Sequence, residues 1–425
     1  MMKMPAMRMK FHRLFASVCG LVIVTCAGPT WAGGLYLNEF ATPSMGVAGA
    51  GAEAVASDAS TSFALHNPAG MTRLEDNQFM LGAGFLVGNV EFDPDPNTPI
   101  PGNNGGDAGG PGPLLGAYYV HSLTDDLKLG ANLFSFSGAI LDYDDGWTGR
   151  FLVKDVELLT LTFNPSLAYQ VNDWLSVGAG VTVMYAKLEL TVAVPGPAGG
   201  GEVKIDGDDV DVGFNLGVLI ELSERTRIGA IYQSEIDPDF SGDVTITPPG
   251  FQAGITTELP FVQLARIGIY HDLNDQWALL GTFGWEEWSA FEDILVSTGR
   301  GSQALPRNWK DTYHFSGGVH FRPVDRWLLQ GGITYDTSPV NSEDRTPDMP
   351  MDRQIRYAAG VQYQLSESLT IGASFVYADY GNARIRNSLL LGDYSKNEIF
   401  FFAINANWTF GKSAAPPTLA AKNAK

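Results

Sequence analysis

The chain has 425 residues, of which 27 are Lys or Arg and 47 are Asp or Glu, so its net charge is −20. Such an acidic surface repels phosphate backbones and argues against a nucleic-acid partner. Hydrophobic residues make up 45% of the chain and charged residues only 17%, against about a quarter charged in soluble domains. This composition is typical of membrane β-barrels, which need apolar side chains on one face only.

Residues 1–32 have the features of a secretory signal peptide, which predicts export with cleavage after Ala32. An apolar run follows a basic start, and Thr30-Trp31-Ala32 supplies small residues at the −3 and −1 positions. Both cysteines, Cys19 and Cys26, lie inside this signal, so the mature chain has no thiol nucleophile and no zinc–cysteine site. Removing the four basic residues of the signal leaves 23 basic against 47 acidic residues, a net charge of −24.

The rest of the chain alternates apolar and polar residues with a period of two. Since successive side chains of a strand point to opposite faces, one face suits lipid and the other a lumen. No segment after the signal has 18 consecutive apolar residues, which excludes membrane-spanning helices. The clearest alternating segments are 174–186, 210–221, 327–336 and 400–410.

About fourteen alternating segments predict an all-β fold, a closed transmembrane antiparallel β-barrel over residues 76–410. A tail, 411–425, is predicted to be disordered. The strands are expected to start near Gln78, Leu114, Leu127, Leu158, Leu175, Val210, Arg227, Pro260, Trp277, Lys310, Trp327, Arg353, Leu369 and Ile399.

Short and long connections alternate along the predicted strands. Short turns suit the periplasmic side and long loops the outside. A soluble sandwich or propeller is the alternative, but the chain shows no blade repeat. The long connections are 93–113, 140–155, 195–209, 237–259, 294–308, 338–352 and 382–396.

The segment before the barrel, residues 33–75, is crowded with Gly, Ala and Ser and fits no strand pattern. It is either a flexible N-terminus or a plug packed in the lumen. Small side chains permit close packing, and the segment ends on the turn signal Asn67-Pro68, so we favour the plug.

At these residues the chain resembles the outer-membrane long-chain fatty-acid transporter family (FadL-like), and the resemblance covers essentially the whole mature chain. The matching motifs are Leu37-Asn38-Glu39-Phe40, Ala56-Ser57-Asp58-Ala59, Asn67-Pro68-Ala69, Asp275-Gln276-Trp277-Ala278, Trp288-Ser289, Lys310-Asp311-Thr312-Tyr313 and Asp336-Thr337-Ser338-Pro339-Val340.

The resemblance implies an outer-membrane barrel closed by an N-terminal hatch. Hydrophobic compounds, above all long-chain fatty acids, would be captured outside, diffuse passively past the hatch and leave sideways into the membrane. It marks Asn67, Pro68, Ala69, Gly33 and Phe40 as hatch residues and places Gly33, at the mature N-terminus, close to the ligand pocket. A plain turn before the first strand is the other interpretation of Asn67-Pro68, and both can hold. We expect a monomer without cofactor or metal.

A fatty-acid carboxylate in an apolar pocket needs a basic partner. The nearest basic residues are Lys187, Arg300 and Arg307, although charged side chains are mostly exposed, which favours loop or rim cations beside acidic neighbours. Because the cation positions of fatty-acid members are not clearly kept, neutral aromatic hydrocarbons are an alternative cargo. Apolar residues of the outer loops offer a capture surface, including Trp147, Phe151, Phe251 and Ile255.

No catalytic constellation is evident, so the chain is not expected to be an enzyme. His121 and Ser122 are adjacent in a strand and point to opposite faces. Glu286-Glu287 is interpreted as a pair of exposed acids where a strand leaves for an outer loop. The aspartates at 142, 144 and 145 lack the spacing of a calcium loop. A structural or adhesive surface barrel with acidic loops remains the second class of function.

Overall fold

The computed structural model describes residues 41–411 except 64, 136–137, 196–199, 249, 292 and 299–300. The predicted signal peptide, residues 33–40 of the predicted hatch and the predicted C-terminal tail beyond residue 411 lie outside the described residues. Among the helices that are described, none has the length and apolar character needed to cross a membrane.

The described chain is dominated by twenty β-strands, all paired antiparallel. In chain order they are β1 (Asn77–Pro94), β2 (Pro111–Ser122), β3 (Leu127–Phe134), β4 (Gly138–Asp142), β5 (Asp155–Asn172), β6 (Leu175–Val194), β7 (Gly201–Ser223), β8 (Thr226–Gln233), β9 (Asp239–Thr247), β10 (Phe251–Glu258), β11 (Leu264–Asp272), β12 (Trp277–Glu286), β13 (Asp293–Thr298), β14 (Gly301–Pro306), β15 (Thr312–Phe321), β16 (Trp327–Asp336), β17 (Gln354–Ser366), β18 (Leu369–Asp379), β19 (Ile385–Arg386) and β20 (Leu391–Phe410).

Fourteen of these strands form the wall of a closed barrel, which confirms the predicted fold and strand number. The wall runs β1-β2-β3-β5-β6-β7-β8-β11-β12-β15-β16-β17-β18-β20. β20 pairs back onto β1, from Phe410 opposite Asn77 to Gly392 opposite Pro94, and this pairing closes the ring. Closure pairs the first wall strand with the last, which satisfies their backbone groups as lipid requires.

The period-two pattern separates a lipid face from a lumen face, as predicted. On β6, Val177 and Val181 of the lipid face are 38% and 47% exposed, whereas Thr182 and Met184 of the lumen face are fully buried. Trp277 and Trp327 lie exposed at the end of the barrel that carries the short turns, stacked or tilted against neighbouring aromatic rings. Aromatic residues at this level are typical of the membrane interface.

The outer connections contain structure of their own. The predicted loop 195–209 is largely strand, because β6 and β7 continue pairing up to Val194 opposite Gly201. β9 then adds to the extended part of β7, and β10, β13 and β14 continue this outer sheet. Alternation persists beyond the membrane level here, so the strands end only where the chain reaches the residues 195–200.

Residues 41–74, which we call the lumenal segment, fold into four short helices inside the barrel. Three are 3-10 helices, Pro43–Val47, Ala59–Ser62 and Pro68–Arg73, and one is the α-helix α1 (Ala52–Val55). They touch opposite sides of the wall: the first lies against β16 to β18, α1 against β8 and β11, and the last against β5 to β7. The described residues of this segment are nearly all buried.

Candidate functional site

Asn67 fastens the lumenal segment to itself and to the wall. Its Nδ2 donates to the carbonyl oxygens of Glu53 (2.7 Å) and of Val218 on β7 (2.9 Å). Its Oδ1 accepts from the backbone N–H of Ala69 at 3.0 Å, which caps the 3-10 helix that Pro68 begins. All hydrogen-bonding groups of this buried amide are thereby used, and Asn67 joins two parts of the segment to one strand.

Glycines on the inner face of the wall allow this close approach. A Cβ added at Gly217 would overlap the Asn67 side chain and Pro68, and one at Gly178 would meet the backbone of Ala69. The same holds on β8, where a Cβ at Gly229 would overlap the carbonyl of Glu53. Because these wall positions have no side chain, the backbone of the lumenal segment can lie directly against the strands.

The helix α1 is held at both ends by wall side chains. Thr282 on β12 donates from Oγ1 to Glu53 Oε2 at 2.6 Å and accepts from the backbone N–H of Gly51 at 2.9 Å. At the other end, Arg227 of β8 donates to the carbonyl oxygens of Ala54 and Val55. A cation at the carboxyl end of a helix satisfies its free carbonyl groups, so Arg227 acts as a side-chain cap.

A cluster of buried charges lies on the inner wall beside α1. Arg266 Nη2 and Glu286 Oε1 form a salt bridge at 2.7 Å, and His314 Nδ1 lies 2.7 Å from Asp336 Oδ1. The second oxygen of Glu286 accepts from Trp288 Nε1 (2.9 Å) and Thr312 Oγ1 (3.3 Å). Arg356 Nη2 donates to Gln354 Oε1 at 2.7 Å. Buried charges persist where they are paired and hydrogen-bonded in this way.

The prediction that Glu286 is an exposed acid is therefore wrong. Glu286 is 7% exposed and lies on the inward face of β12, in step with Ala278, Leu280 and Thr282, which are also buried. Counting in steps of two from Ala278 would have assigned it to the lumen. Its sequence neighbour Glu287 instead accepts from Gln263 near the start of β11.

Above the lumenal segment the lumen is lined by apolar side chains. Phe63 of the segment packs edge-on against Phe134 of β3 and Tyr118 of β2, with ring centroids 4.5 and 5.9 Å apart. The same cluster continues upward to the outer connections, where Trp309 packs on Trp288 and Phe291. Further members are Leu65, Met71, Leu158, Met184, Ile231, Ile236, Phe240, Phe261, Val262, Leu264, Val340 and Met351. An aqueous pore would have a polar lining instead.

The pairing of the wall is interrupted beside this apolar cluster. β3 pairs with β2 from Lys128 opposite Ser122 up to Phe134 opposite Gly116. Beyond that point β4 pairs with β5, and residues 111–115 of β2 pair with β1 but have no partner on their other side among the described residues. The unpaired residues of β2 therefore begin next to Gly116, the partner of Phe134, whose side chain is 1% exposed.

Of the three predicted head-group cations, the two that the structure describes do not meet in the lumen. Lys187 lies on the outward face of β6, paired with Glu189. Arg307 is buried in the outer connections, where its two terminal nitrogens contact the Asp348 carboxylate at 3.0 and 2.6 Å. Arg300, like the predicted hatch residues Gly33 and Phe40, lies outside the described residues.

The predicted capture residues divide into buried and half-buried ones. Trp147 is fully buried, stacked on Tyr143 with ring centroids 3.9 Å apart, and it donates from Nε1 to the carbonyl of Val153. Ile255 is 5% exposed. Neither offers a capture surface in this state, because each is covered by neighbouring outer connections. Phe151 and Phe251 are half-buried.

Comparison with known proteins places the chain in a family. The family model "Outer membrane protein transport protein (OMPP1/FadL/TodX)" matches residues 23–410. The long-chain fatty acid transport protein of Salmonella typhi is 25% identical over 440 residues, which cover 93% of this chain and 98% of that protein.

Solved structures show the same fold. A Pseudomonas aeruginosa FadL homologue matches with a TM-score of 0.82 at 22% identity, covering 89% of this chain and all of that one. The Ralstonia pickettii toluene transporter TbuX matches with a TM-score of 0.68 at 20% identity, covering 88% and 99%.

A closed fourteen-stranded barrel with an apolar outer face and a lumen filled by its own N-terminal residues defines an integral β-barrel protein of the outer membrane. The chain belongs to the OMPP1/FadL/TodX family of outer-membrane transport proteins. Its location in the outer membrane follows from both the fold and the family.

Proposed function

We propose that the protein is a passive transporter that takes hydrophobic compounds across the outer membrane. The observation that carries this proposal is the continuous apolar lining from Trp309, in the outer connections, down to Phe63 of the lumenal segment. Moving along such a lining costs an apolar solute little free energy, whereas a polar channel would expose its surface to water.

The lumenal segment is proposed to be the hatch. It lies across the lumen beneath the apolar cluster, and its hydrogen bonds to the wall include those at Asn67, Thr282 and Arg227. A ligand that packs better when the segment is displaced shifts the population toward the open arrangement, with no energy source needed.

Release is proposed to be lateral, through the interruption between β2 and β4. The apolar residues Phe134 and Tyr118 lead to this interruption from the lumen side, and the membrane lies on the other side. An apolar solute leaving here passes from one apolar environment to another without crossing water.

Long-chain fatty acids are the first candidate cargo, since the relative from Salmonella typhi carries that name. Neutral aromatic hydrocarbons are the second, and the placement of Lys187 outside the lumen and of Arg307 against Asp348 favours them. A buried carboxylate without a basic partner would be strongly disfavoured.

Uptake by intact cells tests this proposal, because an intact lipopolysaccharide leaflet blocks the background diffusion that apolar solutes show across plain phospholipid. Radiolabelled oleate and toluene are supplied to cells that lack their own uptake protein, with the full chain or an empty vector. We expect faster uptake of at least one solute. Uptake of neither above the empty vector would contradict the proposal and leave the surface-barrel alternative.

A further inference from the structure

We propose that the lumen contains a subsite for a neutral hydroxyl head group, formed by Asp336 and Arg356 at the upper edge of the buried charge cluster. The inference rests on the proposed function, and it adds one further class of cargo for this subsite: an apolar chain that ends in a hydroxyl group.

A small, partly open cavity is lined by residues of both the charge cluster and the apolar cluster. Its volume is about 20 Å³, enough for one water molecule or one hydroxyl group. Its lining combines the polar residues Glu286, Thr312, Asp336, Gln354 and Arg356 with apolar ones that include Trp288, Pro339 and Met351.

One carboxylate oxygen in this cavity is left without a hydrogen bond. Asp336 is 8% exposed, and while its Oδ1 is used by His314, its Oδ2 is buried and has no hydrogen-bond partner among the described residues. Arg356 Nη2 lies 4.0 Å from this oxygen, beyond hydrogen-bonding distance. A buried acceptor left in this way costs free energy, and a donor in the cavity would recover it.

A hydroxyl group matches both neighbours at once. It can donate its proton to Asp336 Oδ2 and accept from the guanidinium of Arg356, because a hydroxyl is both donor and acceptor. A carboxylate can accept from Arg356 but has no proton to donate to Asp336 Oδ2, and it would face the like charges of Glu286 and Asp336. A hydrocarbon end would leave the Asp336 oxygen unpaired.

The apolar side of the cavity supplies the place for the chain. Trp288 and Met351 belong both to the cavity wall and to the apolar cluster that leads outward and down to Phe63. Met side chains adapt easily to an inserted chain. A long-chain primary alcohol therefore satisfies the polar and the apolar side of the site together.

Binding of three ligands with equal chain length tests the subsite. The full-length mature protein in phospholipid nanodiscs is equilibrated at pH 7.5 with radiolabelled 1-dodecanol, dodecanoate or dodecane, and partition into empty nanodiscs is subtracted. We expect 1-dodecanol to bind about 10-fold more tightly than either other ligand, the size of effect of one hydrogen bond to a charged group.

A cavity-filling variant tests the location. Met351→Phe adds bulk to the cavity without removing a charge, and we expect it to abolish the preference for 1-dodecanol over dodecane. Met349→Phe adds the same bulk two positions away, at a residue that does not line the cavity, and should keep the preference.

The outcomes separate the subsite from the proposed function. If all three ligands bind with equal affinity, or if Met349→Phe removes the preference as fully as Met351→Phe, the subsite is wrong and hydrophobic transport stands; the cavity then holds water only. If no ligand binds above empty nanodiscs and cells take up neither oleate nor toluene, the proposed function fails, and the subsite fails with it.

Discussion

Glu53 of the lumenal segment and Thr282 of the wall are joined by a hydrogen bond of 2.6 Å although 229 positions separate them in sequence. The same Thr282 hydroxyl accepts from Gly51 N–H, so one small side chain holds the start of α1 against β12. The contact links the only acidic side chain of α1 to the wall beside Arg266.

Thr282→Val tests this contact, because valine keeps the shape and removes both bonds. A hydrogen bond to a charged group is worth about 1.5–3 kcal/mol, so we expect a looser lumenal segment and a clear rise in leakage. Swelling of proteoliposomes in a small sugar measures it. Thr256→Val, at an exposed position of the outer hairpin, is the control; equal leakage in both variants would contradict the assignment.

Gly217→Ala should displace Asn67 and Pro68 of the lumenal segment, since the new methyl group would overlap both. Gly317→Ala is a matched control, because a Cβ there meets nothing within 4 Å. We expect leakage in the first variant and none in the second, with both proteins still showing the heat-dependent gel mobility of a folded barrel. If the Gly217→Ala variant shows no leakage, the lumenal segment does not lie against β7.

A reversible crosslink can show whether the lumenal segment moves during transport. A Cβ added at Gly318 on β15 would lie 3.0 Å from Ala50 Cβ, slightly below the usual 3.5–4.5 Å of a disulfide. The mature chain has no cysteine of its own if cleavage follows Ala32, so Ala50→Cys with Gly318→Cys gives one defined pair. We expect oxidation to stop uptake and a reductant to restore it. Unchanged uptake in the fully crosslinked protein would rule out a moving hatch at this contact.

The Arg307–Asp348 pair should make the outer connections sensitive to acid. Burial would raise the pKa of the Asp348 carboxyl, but the facing Arg307 guanidinium outweighs it and holds that pKa below its usual value. The pair therefore stabilises the folded loops above the ordinary aspartate pKa of about 3.9, and this contribution is lost as the pH falls through the lower, folded pKa.

Asp348→Asn removes this charge at every pH and leaves Arg307 buried without its counter-ion, a loss of about 3–5 kcal/mol. We expect proteinase K to cut the loop 338–352 of the variant at pH 7.5, where the native loop resists. At mildly acidic pH, where pepsin is active and the native pair is still charged, pepsin should cut the loop of the variant and not the native one. Glu343→Gln, exposed in the same loop, is the control. Equal resistance of both variants at pH 7.5 would contradict a stabilising role for the pair.

Lateral release predicts that a bulky group beside the wall interruption slows uptake. Leu115 of β2 is 57% exposed at the unpaired strand end, and Phe283 of β12 is 46% exposed seven wall strands away. Each is replaced by cysteine and labelled with a large polar maleimide. We expect slower uptake only for the label at position 115. Equal rates for the two labelled proteins would place the exit elsewhere.

The wall could be predicted from sequence because its determinants are local. The fourteen expected strand starts each fall in or near one wall strand, and the ladder Phe402, Ile404, Trp408 and Phe410 lies exposed on the lipid face as its period demands. The points where strands end and loops begin were less predictable. Residues 201–209 were expected in a loop but belong to β7, because a strand continues where it finds a partner, which here is β9.

The interior resisted prediction because its contacts join distant parts of the chain. Trp147 was expected on a capture surface, yet three outer connections bury it together with Phe92 and Tyr394. Glu286 was expected to be exposed, yet Arg266, 20 positions earlier, pairs with it. The amino-acid composition of a loop does not predict which other loop will pack over it.

The sequence by itself determined export, the barrel, its lipid face and the family, since these depend on a signal, a period of two and short motifs in order. Only the tertiary structure decided how residues 41–74 lie in the lumen, which charges meet there and where the wall pairing stops. The physical reason is that strand alternation acts between neighbouring residues, whereas lumen contacts depend on barrel closure, which brings residues hundreds of positions apart into one enclosed space.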